Sequence, residues 1–340
     1  MKKFLRKIII LIVIIVLLIP PFNFFFSASR GFTYHSLGEM YESKENIDLV
    51  YIGASCVFRG FVPQIANKML GCKTFNAGSS SQGMNTSYYF LREINQYHKL
   101  KTVFLDTFYI VANLADDDAQ VFTISDHMKF GLNKIKLLYS NGGIETVING
   151  LLKFRRGNLD IIGNVRSHFV DYKDYSNVRN KKEAYVGDGY VYSYGVALVN
   201  DEKTYSHAFK QPEAQDLRAE VPVSKLYLKS LIQTIEYCKA NNIKLILISQ
   251  PVPRRTLAYA KDYNNYVQFL KRIAKKYDVE YWNFDLYKYN HGITPDCYTD
   301  GGHLNGDGAK KYTTFLCNFI NGVKSGKIVP KEMFYEAYEK

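Results

Sequence analysis

Ile47-Asp48-Leu49-Val50-Tyr51-Ile52-Gly53-Ala54-Ser55 decides the fold of this 340-residue chain. Its apolar run reads as a buried strand, and it leads through Cys56 and Val57-Phe58-Arg59-Gly60 into a helix-like stretch, Pro63 to Leu70. A serine at the carboxyl end of a strand, just before a helix, is where an open α/β sheet keeps its active residues. Working outward, the same alternation recurs. Lys73-Thr74-Phe75-Asn76-Ala77-Gly78 reads as a second strand, and Thr102 to Leu105 follows a helix-like Thr86 to Tyr97. Ile243 to Ile248 follows Ser224 to Ala240, whose apolar positions include Leu228, Leu231, Ile232 and Ile235. Glu280 to Phe284 follows Tyr263 to Tyr277, with Val267, Leu270, Ile273 and Ala274 on one face. This order predicts an α/β three-layer sandwich around a parallel sheet of about five strands, with right-handed crossovers.

The far end of the chain carries a second informative stretch, Thr299-Asp300-Gly301-Gly302-His303-Leu304-Asn305-Gly306-Asp307-Gly308-Ala309. It is too rich in Gly and Asn for a helix or strand interior, and a helix-like Ala309 to Val323 follows it. An acid three residues before a histidine lets one loop present an imidazole and the carboxylate that orients it. With Nδ1–H donated to Asp300, the Nε2 of His303 is left as a base for a hydroxyl. The plain alternatives are a surface turn whose Asp caps a helix, and a Ser55 that does the same.

Taken together, Gly53-x-Ser55 and Asp300-x-x-His303-Leu-Asn-x-x-Gly-Ala309 resemble the SGNH (GDSL-like) hydrolases. Lys73 to Gly83 looks like the second block of that superfamily, and the resemblance spans Ile47 to Val323 with a long interruption. It looks most like the membrane-anchored members found with cell-envelope polymer acylation. The resemblance implies a flavodoxin-like sheet, Ser55 as nucleophile, His303 as base and Asp300 as its partner. It also implies an oxyanion hole built from the serine's own N–H, a second-block glycine and a third-block asparagine. Ser81 falls at that glycine position, with Gly83 close by, and the third block reads Leu105-Asp106-Thr107-Phe108-Tyr109. The Ser81 or Gly83 backbone N–H and the Tyr109 or Thr107 hydroxyl are the candidate donors, with Asn113 four residues on. This chemistry calls for neither cofactor nor metal. The partners it implies are a cell-envelope polysaccharide or other acylated glycan and a membrane-bound acyltransferase.

Lys2, Lys3, Arg6 and Lys7 precede an unbroken apolar run, Ile8 to Ile19, then Pro20-Pro21-Phe22-Asn23-Phe24-Phe25-Phe26. The basic flank predicts a cytoplasmic N-terminus and an extracytoplasmic remainder. Residues 1–30 read as a single-pass anchor in the cell membrane. A signal peptide cut near Ser27-Ala28-Ser29 is the alternative, and the bulky Phe24 to Phe26 crowd that site. Residues 31–340 form the catalytic domain in this reading, and 110–221, where the alternation stops, form an inserted cap or lid. The insert holds Asp116 to Asp118, a helix-like Met128 to Leu138 and a tyrosine-rich Asp171 to Tyr194. Gly187 to Gly195 alternates like an exposed strand or hairpin. The net charge of +12 is scattered, and no zinc finger, basic-region heptad or RNA-binding signature accompanies it, which argues against nucleic acid. Five widely spaced cysteines fit neither a disulfide framework nor a zinc site, and Cys56 reads as a packing residue beside the serine.

Overall fold

The computed structural model describes residues 1–28, 31–107, 118–169, 183–195, 224–259 and 263–338. Its strands, in chain order, are β1 (Leu49–Gly53), β2 (Thr74–Gly78), β3 (Thr102–Asp106), β4 (Glu183–Gly187), β5 (Tyr190–Ser193), β6 (Lys244–Ser249) and β7 (Glu280–Asn283). Five of them make one parallel sheet in the order β2-β1-β3-β6-β7, which is the flavodoxin-like pattern. The chain moves first to one side of β1 and then steadily to the other. That reversal opens a crevice at the carboxyl edge between β1 and β3.

The helices are α1 (Lys2–Phe26), α2 (Phe32–Glu42), α3 (Ser55–Gly60), α4 (Pro63–Leu70), α5 (Met84–Tyr97) and α6 (Asp118–Ser125). They continue as α7 (Leu132–Leu151), α8 (Ile161–Ser167), α9 (Lys225–Ala240), α10 (Arg254–Tyr259), α11 (Tyr263–Tyr277) and α12 (Gly306–Lys324). α12 packs on α3 and α4, whereas α5 packs on α9 and α7, so the sheet has helices on both faces. Every residue of β1 is buried, as a central parallel strand requires. On one face Tyr51, Phe104, Trp282 and Phe319 meet edge to face or tilted, with centroids 5.0–6.2 Å apart.

Three expectations change in detail. α12 starts at Gly306 rather than Ala309, because the Asn305 side chain accepts from the Gly308 N–H and caps it there. The helix expected over Met128 to Leu138 lies at Leu132–Leu151 and continues across a kink at Gly142 and Gly143, where Gly143 has a left-handed φ of 67°. The hairpin β4–β5 is docked rather than exposed. Its turn, Asp188-Gly189, has φ of 51° and 84°, the two-residue form that matches strand twist. The Asp188 carbonyl accepts from Asn76 N–H on the edge strand β2, and Tyr185, Tyr190 and Val191 are buried. This docking also covers an edge that would otherwise offer unpaired backbone groups. Tyr109, Asn113, Asp116, Asp117 and residues 171–182 lie outside the described residues.

α1 is a single 25-residue helix with no buried residue and an 18-residue window of mean hydropathy 2.9. By length and composition it is able to cross a membrane.

Candidate active site

Ser55 is the first residue of α3 and follows β1 after one residue. It does not cap the helix. Its Oγ lies 2.7 Å from His303 Nε2. Glycine is needed at 53 because a Cβ there would fall 2.4 Å from Asp106 Cβ and 2.8 Å from Val57 Cγ2. α3 is held from below by Asn76 on β2. The Asn76 Nδ2 donates to the carbonyls of Val57 and Phe61, both at 2.7 Å, and its Oδ1 accepts from Gly78 N–H at 3.1 Å. Asn76 is fully buried, so Asn76→Ala removes all three of these bonds; the Val57 carbonyl keeps the Phe61 N–H, whereas the Phe61 carbonyl loses its side-chain donor. We expect a loss of about 2–4 kcal/mol in denaturant unfolding. A loss below about 1 kcal/mol would mean that α3 is held by packing alone.

The His303 loop is braced by its own backbone. Thr299 N–H donates to the His303 carbonyl at 2.8 Å, and Asn305 N–H donates to Cys297 at 2.9 Å. Gly308 has to be glycine, since a Cβ would sit 2.1 Å from the Cys297 carbonyl oxygen. The Asn305 amide ties the loop outward, donating to Asp296 at 2.7 Å and to Gly195 at 3.0 Å. Within this frame His303 Nδ1 lies 2.8 Å from Asp300 Oδ2 and 2.9 Å from Oδ1. Asp300 Oδ1 also accepts the backbone N–H groups of Gly302 and His303, each at 2.9 Å. Burial tends to raise the Asp300 carboxyl, but the His303 ring and these two N–H groups outweigh it and hold the carboxyl below its usual range. A carboxylate fixed in this way keeps Nδ1 protonated and Nε2 open to the Ser55 hydroxyl.

Behind this loop lies a polar network that sequence reasoning did not single out. Thr256 on α10 donates to the Gly301 carbonyl at 2.6 Å, and Tyr298 donates to Pro251 at 3.0 Å. Asp285 accepts from Val252 N–H at 2.8 Å and from the Tyr263 hydroxyl at 2.7 Å. Burial pushes the Asp285 carboxyl up to about 7 against the pull of those two donors. The network therefore fixes the loop after β6 and, through Thr256, the backbone next to Asp300. Of the two arginines that open α10, Arg254 is exposed, and the Arg255 side chain lies outside the described residues.

The expected oxyanion donors fare unevenly. Ser81 has a left-handed φ of 48°, the backbone state that glycine adopts without strain, at the position where the resembling family has glycine. Gly83 lines the crevice beside β1 with Gly53, Ala54, Gln82, Asp106 and Tyr227. The Gln82 amide shapes that loop, accepting from Ser79 and donating to Ala77 and Ser87. The Thr107 hydroxyl is buried and bonded to the Ile248 carbonyl and to Ser249, so it is turned into the sheet and away from a donor role. Tyr109 is outside the described residues. The Cys56 thiol is buried against Asp106 Oδ2 at 3.1 Å. Burial, then the Asp106 charge, pushes its pKa well up, which suits packing and not attack.

No family model and no curated protein matches the chain. Among solved structures it is similar to a GDSL-like lipase from Bacteroides thetaiotaomicron, at 13% identity and TM-score 0.39, covering 87% of this chain and 100% of that one. It is also similar to a protein designated an acylhydrolase from Bacteroides fragilis, at 12% identity and TM-score 0.37, covering 84% and 94%. A third, described as a platelet activating factor from Streptococcus pneumonia, is 14% identical with TM-score 0.37, covering 85% and 91%.

Proposed function

We propose that this chain is a serine-dependent acyl-ester hydrolase or O-acyltransferase that works outside the membrane on a cell-envelope polysaccharide. The observation that carries the reading is the hydrogen-bonded chain from Ser55 Oγ through His303 to Asp300 at the carboxyl edge of a parallel sheet. Ser55 Oγ attacks the acyl carbonyl while its proton passes to His303 Nε2. The tetrahedral intermediate collapses, and the leaving alcohol departs with that proton. An acyl-serine remains. Water or a sugar hydroxyl then attacks it, gives its proton to His303, and Ser55 is released with its proton restored. The Ser55 N–H and those of the Ser81–Gly83 loop are the donors offered to the oxyanion.

Support for a sugar substrate comes from the hairpin. Tyr192 packs on Gly306, and the half-exposed Tyr194 stacks obliquely against it with centroids 4.6 Å apart. Both adjoin the Gly195–Asn305 bond that anchors the histidine loop. Tyrosine faces and hydroxyls suit sugar rings. A single-pass anchor with its basic end in the cytoplasm fits α1, whose last turn is bonded into the insert. Asn158 N–H donates to Phe26, and His168 Nε2 lies 3.0 Å from the Ser27 carbonyl. A second reading is a non-catalytic glycan-binding or accessory partner of a membrane-bound acyltransferase. It is favoured by Thr107, whose hydroxyl is committed to β6 where a third oxyanion donor is wanted.

The full-length protein treated with a fluorophosphonate separates the two. An adduct on Ser55 by peptide mass spectrometry is the expected result. An unmodified Ser55 under conditions that label a serine esterase control would leave the accessory reading.

A further inference from the structure

The last turn of α1 does not merely precede the domain; residues 151–169 are wrapped around it. Asn23, a polar residue inside the apolar helix, is satisfied by that segment: its Nδ2 donates to the Leu151 carbonyl and its Oδ1 accepts from Phe154 N–H. Phe22 meets Phe154 at 5.7 Å, Phe24 stacks on His168 at 4.6 Å, and Phe169 meets Phe24 edge-on at 6.4 Å. Gly157 lies so close that a Cβ would overlap the Phe26 carbonyl oxygen. Yet the same segment exposes Leu159 (87%), Ile162 (75%) and Phe169 (77%), with Ile161 beside them. Such a cluster on a soluble surface marks a membrane or protein contact.

The anchor helix says which. A bilayer core takes roughly 20 helical residues to cross. Counted from Ile8, the first residue after the basic flank, that number ends at Ser27. The residues bonded to Asn23 through Ser27 therefore lie level with the outer edge of the hydrocarbon. Whatever surrounds the emerging helix also meets Leu159, Ile162 and Phe169. Arg155 and Arg166, both exposed, stand in the same segment and suit anionic headgroups. We infer that residues 159–169 are an interfacial membrane-docking element. It lies in the outer headgroup layer and, with α1, fixes the orientation of the sheet edge that carries Ser55 relative to the bilayer.

This inference rests on α1 remaining attached, and its test does not use activity. The chain has one tryptophan, Trp282, buried in the sheet core. Full-length Ile162→Trp, reconstituted in phosphatidylcholine–phosphatidylglycerol vesicles, should lose its added emission to lipids brominated near the glycerol end of the acyl chain. Wild type should lose none. Leu159→Trp serves as a second site with the same expected loss. Flotation with the vesicles without quenching at either site would overturn the docking element and leave the anchor intact; another protein would then cover the patch. Failure to float would overturn both. A negative fluorophosphonate result would affect neither outcome.

Discussion

Ser55→Ala is expected to lower kcat on a small acyl ester such as p-nitrophenyl acetate by at least about 10⁴. Among the described residues the Ser55 Oγ is the hydroxyl placed 2.7 Å from His303 Nε2, and removing it removes both the proposed nucleophile and the proton that the imidazole would take. His303→Ala should cost about as much, because the members of such a chain act as one unit. Asp300→Asn should cost a similar order, since an amide cannot accept both Nδ1–H and the two backbone N–H groups that now converge on the carboxylate. Cys56→Ala should keep most of the rate, because that thiol is buried on Asp106. Steady-state kinetics on the four variants, each checked for folding, provide the measurement. Equal residual turnover in wild type and Ser55→Ala would favour the accessory reading. The Asp300 contribution to loop stability has a definite sign with pH. Its folded pKa is depressed, so the contribution is present above the ordinary carboxylate range and disappears as pH falls through the folded value.

The contrast between what could and could not be read from the residues follows the range of the forces. α4 is legible from end to end, because Pro63 starts it and Gly71, at φ 65°, stops it with local backbone chemistry. α11 is equally clear from its apolar spacing. The start of α12 is not. Gly306-Asp307-Gly308 has loop composition, yet glycine is demanded there by the Tyr192 ring and the Cys297 carbonyl, which are distant or out of register in the sequence. The hairpin turn Asp188-Gly189 is legible, but its burial is not, since that depends on α3 and on an edge strand more than a hundred residues away. Ser55, Asp300 and His303 stand out because the proposed nucleophile, base and orienting acid sit in short recognisable stretches. Asn76, Thr256 and Asp285 do not, because each acts through a partner on another element. The Asn76 amide works on carbonyls 15 and 19 residues away, and Thr256 on one 45 residues away.

Asp285→Asn should stabilise the protein at pH 8 and change little near pH 4. In the wild type the carboxyl is moved from an ordinary 3.8 to about 7, chiefly by burial. Between those values the unfolded chain is ionised at this residue while the folded one keeps its proton. The folded state thus binds more protons, and stability falls as pH rises through that window. At about 1.4 kcal/mol for each tenfold, the whole window amounts to about 4 kcal/mol, a ceiling because the residue retains some solvent contact. The network can accommodate the neutral form. A protonated Asp285 donates to the Tyr263 oxygen across 2.7 Å, and Tyr263 then turns its own hydrogen to Asn283 Oδ1 at 3.1 Å. Asn at 285 reproduces that pattern at every pH, with its carbonyl still accepting from Val252 N–H. Subtracting variant from wild-type stability in denaturant titrations from pH 4 to 9 isolates this residue from Asp300, whose dependence has the opposite sign. The difference should open between pH 4 and 7 and then level off. A flat difference would show that the Asp285 carboxyl titrates in the ordinary range and that the loop after β6, with Thr256 and the backbone beside Asp300, is held by a charged group and not by a neutral one.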